Sequence, residues 1–318
     1  MSSILECIRT VGRGERGRKP LSFEQAYRVM NEYLDNGIGD DQMAMLLMLI
    51  RVQNETKQEI AGFVSAFQSR MPDIGADIDW PCYAGKRHAA GPPWQLLAAK
   101  ILADNGYKVL LHGYKDPTLD RLHVESYLDK LEIEMAKDAE HAKRLLLENG
   151  IAYLPLANFA PQAETMIGWK QRYGLRTPIN TVVRALNPSK ARLGIRGSFH
   201  PGFQQLHAEV EHEIGQTSHA VISFKGQSGE SEYNPKVSQT VWMSSPDGVE
   251  SYYWQERQLE EIDLTYRCPL GTADDQRHLM VNTVIETMAA ILFTEMLDRD
   301  RAIATADRYW HQFIGKVQ

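Results

Sequence analysis

The sequence is poor in cysteine and has no long apolar run. Cys7, Cys82 and Cys268 stand far apart in 318 residues. That odd, scattered set excludes a disulfide scaffold and a four-cysteine zinc site, and suits reduced thiols. No stretch approaches the roughly 18 consecutive apolar residues that read as a membrane span. The first residues, Met1 to Cys7, lack the basic-then-apolar order of a signal peptide. With 43% hydrophobic and 24% charged residues, disorder and a collagen-like fibre are excluded as well. These absences predict a soluble, cytoplasmic protein without a membrane partner. The length predicts two domains or one large α/β domain.

One absence is local. Residues 165–208 hold no Asp or Glu, whereas the overall composition would place about six there. The same stretch carries Lys170, Arg172, Arg176, Arg184, Lys190, Arg192 and Arg196, with His200 and His207. A second basic cluster, Arg9, Arg13, Arg16, Arg18 and Lys19, contains one acid, Glu15. The net charge of −6 argues against a polyanionic partner, but it averages over this asymmetry. Two readings stay open at this level: a solvated basic face, or a surface that holds phosphates.

Residues 20–70 read as three helices. Ser22 with Gln25, and Thr56 with Glu59, form capping-box pairs, and Asn36-Gly37 is a stop signal. Between them Met43 to Ile50 is apolar all round, which predicts burial on several sides. After Pro72 strands and helices alternate. Strands are predicted at 108–111, 151–154 and 220–224, and helices at 93–105, 137–148, 161–174, 201–214, 277–297 and 301–314. That order predicts a mostly parallel sheet covered on both faces, with ligands outside the carboxyl ends of its strands. The expected fold class is therefore α/β, with a small all-helical N-terminal domain (1–72) and a larger α/β domain (73–318).

In combination the motifs resemble the anthranilate phosphoribosyltransferase family of glycosyltransferase family three. They are Ser22-Phe23-Glu24-Gln25-Ala26, the run Gln42 to Arg51, Glu59 to Phe63, His112-Gly113, Asn158-Phe159-Ala160-Pro161, and Tyr173 to Thr177 with Asn180, Asn187 and Pro188. The resemblance implies the nucleoside phosphorylase/phosphoribosyltransferase fold and a homodimer formed through the helical domain. It also implies phosphoribosyl pyrophosphate and magnesium as the family's ligands. Backbone N–H groups of a glycine loop must approach the pyrophosphate, and carboxylates must hold the metal. Here the family's Gly-Thr-Gly-Gly-Asp loop reads Tyr83-Ala84-Gly85-Lys86-Arg87-His88. Its Asn-x-Ser-Thr run reads Pro93-Trp94-Gln95-Leu96, its Lys-His-Gly-Asn reads Leu111-His112-Gly113-Tyr114, and its Asp-Glu pair reads Ser231-Glu232. Gly85, His112, Gly113 and Asn180 thus read as remnants of a substrate site, no catalytic residue is assigned, and inactivity on anthranilate is expected.

The replacement pattern, Tyr83-x-Gly85-x-Arg87 with His200-Pro201, Gly226-x-x-Gly229-Glu230 and Asn234-Pro235, is similar to a divergent branch, the YbiB-type relatives. Resemblance to that branch implies sequence-independent binding of DNA or RNA without a cofactor. On that reading Lys86, Arg87, Lys170, Arg172, Arg176, Arg184, Lys190, Arg192 and Arg196 form a phosphate-binding groove. The alternative is an active phosphoribosyl or glycosyl transferase with an altered acceptor. His207, Glu211 and His212 read as a solvated helix face rather than a metal site. Trp242, Tyr252, Tyr253 and Trp254 read as strand core, and Cys82 lacks a base to activate it.

Overall fold

The computed structural model describes residues 3–215, 220–257 and 266–317. Four helices open the chain: α1 (Ser3–Val11), α2 (Phe23–Leu34), α3 (Asp40–Gln53) and α4 (Lys57–Gln68). Both capping boxes form with reciprocal side-chain and backbone bonds, at Ser22 with Gln25 and at Thr56 with Glu59. The helix α1 is an addition to the three expected from the sequence. In α3, Met43, Leu46, Leu47 and Ile50 are buried, but Met45 is 56% and Val52 68% exposed. The all-round apolar run therefore leaves one face uncovered.

The rest alternates as expected. Strands β1 (Ile78–Cys82), β2 (Val109–Gly113), β3 (Ile151–Pro155), β4 (Leu193–Ser198) and β5 (Ala220–Lys225) pair in parallel. Strands β6 (Gln239–Ser245) and β7 (Gly248–Trp254) form an antiparallel hairpin at the β5 edge. The seven-stranded sheet has the order β3-β2-β1-β4-β5-β6-β7. Helices α5 (Gln95–Asp104), α6 (Ala139–Asn149), α7 (Pro161–Tyr173), the short α8 (Ile179–Val182), α9 (Phe203–Ile214), α10 (Arg277–Met296) and α11 (Arg299–Val317) complete the chain. Pro161 opens α7 as a first helical residue, and Gly174, at φ +76°, closes it in the left-handed region. Pro201 instead belongs to the turn before α9, which starts two residues later.

The apolar core of the helical bundle extends past residue 72, because α7, α8 and residues up to Leu186 pack into it. The sheet core is separate and includes most of α10. By length and composition α10 could cross a membrane, but the corresponding segment is 83% buried inside the fold, as a core helix is. Trp254 is buried and Tyr252 packs edge-on against Phe293, as strand core should, while Tyr253 is exposed. The two bodies meet at the carboxyl ends of β1 and β4, where a parallel sheet gathers ligand-facing loops.

A self-filled loop beside an arginine cavity

The loop after β1 turns at Gly85, which has φ +64°. Its Ala84 and Gly85 N–H groups point at one carboxylate oxygen, Glu230 Oε1, the first at 2.7 Å. The other oxygen accepts from Gln95 Nε2 at 3.0 Å. Glu232 Oε2 accepts the N–H of Gln95 at 2.9 Å, capping the start of α5. Its Oε1 pairs with Lys86, whose ammonium also donates to Pro92 O and lies 4.2 Å from the Trp94 ring centroid. All of these charged groups are buried: Lys86 and Glu232 at 0% exposure, Glu230 at 2%. Burial lowers the Lys86 pKa and raises that of Glu232, and their contact opposes both shifts. Backbone N–H groups and a helix start that suit an anion are thus satisfied by the chain's own carboxylates.

The segment carrying these glutamates fits only because two glycines face it. A Cβ on Gly197 or Gly226 would lie 1.9 or 1.7 Å from the Glu230 carbonyl oxygen. This is the physical content of the Gly226-x-x-Gly229-Glu230 motif.

Next to the loop lies a cavity of about 200 Å³. Arg51 and Glu55 reach it from the end of α3 and the link to α4, and Arg176, Asn180 and Arg184 from the α7–α8 region. Arg87, Arg121, Phe199, His200 and Phe203 complete most of its wall. Five arginines therefore face one acid, and Glu55 is already paired with Arg51 at 3.3 Å. Arg184 is held in place by three carbonyls, those of Gly197, Asn180 and Gly229, at 3.0–3.2 Å. Lost solvent and then the adjacent Arg121 charge lower Arg176 below the usual arginine range, and Asp116 partly opposes them. His207, also on the wall, is held well below the ordinary histidine pKa by burial and then by Arg184 and Arg196.

The nine cations expected to share a groove are not brought together. Arg87, Arg176 and Arg184 line the cavity. Lys170 lies 3.7 Å from Asp116, and Arg172 is exposed beside Tyr173. Lys190 and Arg192 precede β4 and so lie at the amino ends of the parallel strands, opposite the cavity, where Arg192 contacts Asp77 and Glu295. Two placements correct the sequence reading. Lys86 is not on a surface, because it pairs with Glu232, and Arg196 is fully buried between Asp79 at 2.8 Å and Glu211 at 2.7 Å. The same network overturns the solvated reading for two residues of α9, His207 and Glu211, which are buried at 1% and 5% exposure, while His212 is exposed as expected. Of the four substrate-site remnants, Asn180 alone lines the cavity. Gly85 is in the self-filled loop. His112 is buried between Tyr83 Oη at 2.8 Å and Asp79 at 3.1 Å, and Gly113 lies where a Cβ would meet Cys82 O at 2.2 Å. Cys82 is buried with a raised pKa, which fits an inert thiol.

Residues 5–71 match the family model described as glycosyl transferase family, helical bundle domain. Anthranilate phosphoribosyltransferase of Geobacillus stearothermophilus is 29% identical over 211 residues, 66% of this chain. The chain is thus similar to glycosyl transferase family proteins, in its N-terminal helical bundle and over about two thirds of its length. Its match spans only 61% of that relative's length. A protein named YbiB from Escherichia coli, described as uncharacterized, is 25% identical over 77% of this chain and 78% of its own length. The Thermus thermophilus anthranilate phosphoribosyltransferase structure superposes with a TM-score of 0.74 at 20% identity, covering 97% of this chain and 94% of that one. The Saccharomyces cerevisiae enzyme in complex with PRPP and Mg gives 0.70 at 15% identity, covering 98% and 94%. These structures share the fold of this chain.

The family's magnesium can be tested against the residues present. Glu232 is the one carboxylate at the aligned pair, and a lysine ammonium already occupies it. Ser231 hydrogen-bonds Gly197 N and Pro81 O. No group of three metal-ligating side chains occurs among the described residues. This donor set does not fit a magnesium ion. Sequence reasoning missed Arg51, Arg121, Phe199 and Phe203 as cavity residues and Glu230 as the loop's filler. Glu230 was visible only as part of a motif of unknown purpose.

Proposed function

We propose that this chain is a dimeric, sequence-independent nucleic-acid-binding protein that takes phosphates in its arginine cavity. One observation carries the reading: five arginines converge on a cavity with one acid, while the neighbouring glycine loop is filled by Glu230. Long cations around an open site suit phosphates, and contacts of that kind give affinity without base choice. The net charge of −6 opposes approach only within the screening distance, about 10 Å at 0.1 M salt. The uncovered Met45 and Val52 face of α3 supports a second copy of the chain as partner. Two cavities on one particle would add affinity for a polymer through effective concentration.

The test is fluorescence anisotropy with labelled oligonucleotides of mixed sequence. Binding should tighten with length, fall steeply with salt and vary little with sequence. A flat titration at low salt ends the proposal. Light scattering at micromolar concentration that finds only monomer removes the dimer. A second reading, a transferase with an altered acceptor, is favoured by the cavity's size, about 200 Å³, and its place at the strand carboxyl ends. It requires phosphoribosyl pyrophosphate with magnesium to raise the melting temperature. The nucleic-acid reading expects no such rise and no turnover of anthranilate.

A further inference from the structure

Between β4 and α9 the chain runs Phe199-His200-Pro201-Gly202-Phe203, and all but Phe203 are exposed. Phe199 keeps 41% of its surface in solvent, and neither phenylalanine belongs to an apolar core. Phe199 is exposed and Phe203 half-buried, and both line the cationic cavity. The rings alternate with cations. Arg87 lies 5.4 Å and Lys225 5.9 Å from the Phe199 centroid, and Arg51 lies 6.0 Å from that of Phe203. The His200 ring stands edge-on to Phe199 at 5.4 Å and tilted to Phe203 at 6.4 Å.

Resting on the nucleic-acid reading, we propose that this aromatic wall selects single strands over duplex, with unpaired bases stacking on Phe199 while Arg87 and Arg176 hold the flanking phosphates. A duplex offers phosphates but no free base faces, because its bases are already stacked on one another. A single strand offers both, and stacking tolerates any base because each has a π face. The Arg87 guanidinium now resting on Phe199 can exchange that weak contact for a phosphate as a base takes its place.

The experiment compares four labelled probes at one salt concentration: an oligothymidine 20-mer, an oligouridine 20-mer, an abasic deoxyribose 20-mer with the same phosphates, and a 20-base-pair duplex. Both base-bearing single strands should bind about tenfold or more tightly than the abasic strand and the duplex. Phe199→Ala should bring the ratio of thymidine to abasic affinity towards one, and Phe199→Trp should keep it. Equal affinity for abasic and base-bearing strands, or a ratio unmoved by Phe199→Ala, overturns stacking and leaves the phosphate reading in place. Equal or tighter duplex binding overturns strand selection. If no probe binds at low salt, the nucleic-acid reading fails and takes this inference with it. Phe199 is exposed, so its variants should fold, and circular dichroism checks that.

Discussion

The loop after β1 and the arginine cavity are neighbours, joined by Arg121, which lines the cavity and donates to Gly85 O at 3.1 Å. Both collect groups that favour an anion, yet they meet it in opposite ways. In the loop the Ala84 and Gly85 N–H groups end on Glu230, the Gln95 N–H ends on Glu232, and the buried Lys86 pairs with Glu232. In the cavity Arg87 rests on the Phe199 ring, and Arg176 lies among Arg121, Arg51 and Asp116. A donor-rich site is therefore evidence of a ligand only after the chain's own acids have been placed.

Breaking the self-filled side should have the largest effect. Lys86→Met leaves a buried carboxylate without its cation, which costs about 3–5 kcal/mol. Urea unfolding should show this, and Lys86→Met with Glu232→Gln should recover most of it. A single variant within 1 kcal/mol of the parent would mean that the loop does not depend on this pair.

On the open side, Arg87→Glu with Arg176→Glu should weaken oligonucleotide binding at least tenfold. The slope of log affinity against log salt should also flatten by about two. Arg192→Glu, at the amino ends of the strands, is the contrast. If it weakens binding as much, the cavity is not the phosphate site.

Acid should next destabilise the cavity wall. His207 is kept neutral, its folded pKa lying well below the unfolded value near 6.5, so the unfolded chain binds more protons below that value. Its contribution is present above pH 6.5 and is lost as pH falls towards the folded pKa, at about 1.4 kcal/mol per pH unit. His123, lowered by burial, adds in the same direction. Unfolding free energies at pH 7.5 and 5.5 should therefore differ, and His207→Gln should narrow the gap. A gap unchanged by that variant would assign the acid sensitivity elsewhere.

The smallest effect is expected at the exposed pair of Arg192 with Glu295. Arg192→Ala should cost less than about 1 kcal/mol, since half-exposed ion pairs are screened. A larger loss would make that contact structural.

Much of the architecture was legible because it is set by short-range chemistry. Ser22 with Gln25, Thr56 with Glu59, and Pro161 with Gly174 act within a few residues, so the helices they bound could be read in order. Alternating apolar strands and helices likewise implied the parallel sheet. The helix α1 was passed over, although it buries Ile4, Cys7 and Val11 on one face. The acid-free stretch was real in the sequence, but its meaning was not. Folding sends Arg196 inward to Asp79 and Glu211, Arg192 to the amino ends of the strands, and Arg176 and Arg184 to the carboxyl ends.

By itself the sequence determined the order of elements, the α/β class and the resemblance to a phosphoribosyltransferase family with altered loops. Only the tertiary structure decided which charges are spent inside the protein and which line the cavity. Capping and periodicity act between neighbours in the chain, whereas an ion pair such as Lys86 with Glu232 joins residues 146 positions apart. No local pattern encodes such a distance. Packing across the sheet turned one expected basic groove into a filled loop, a buried network and an open arginine cavity.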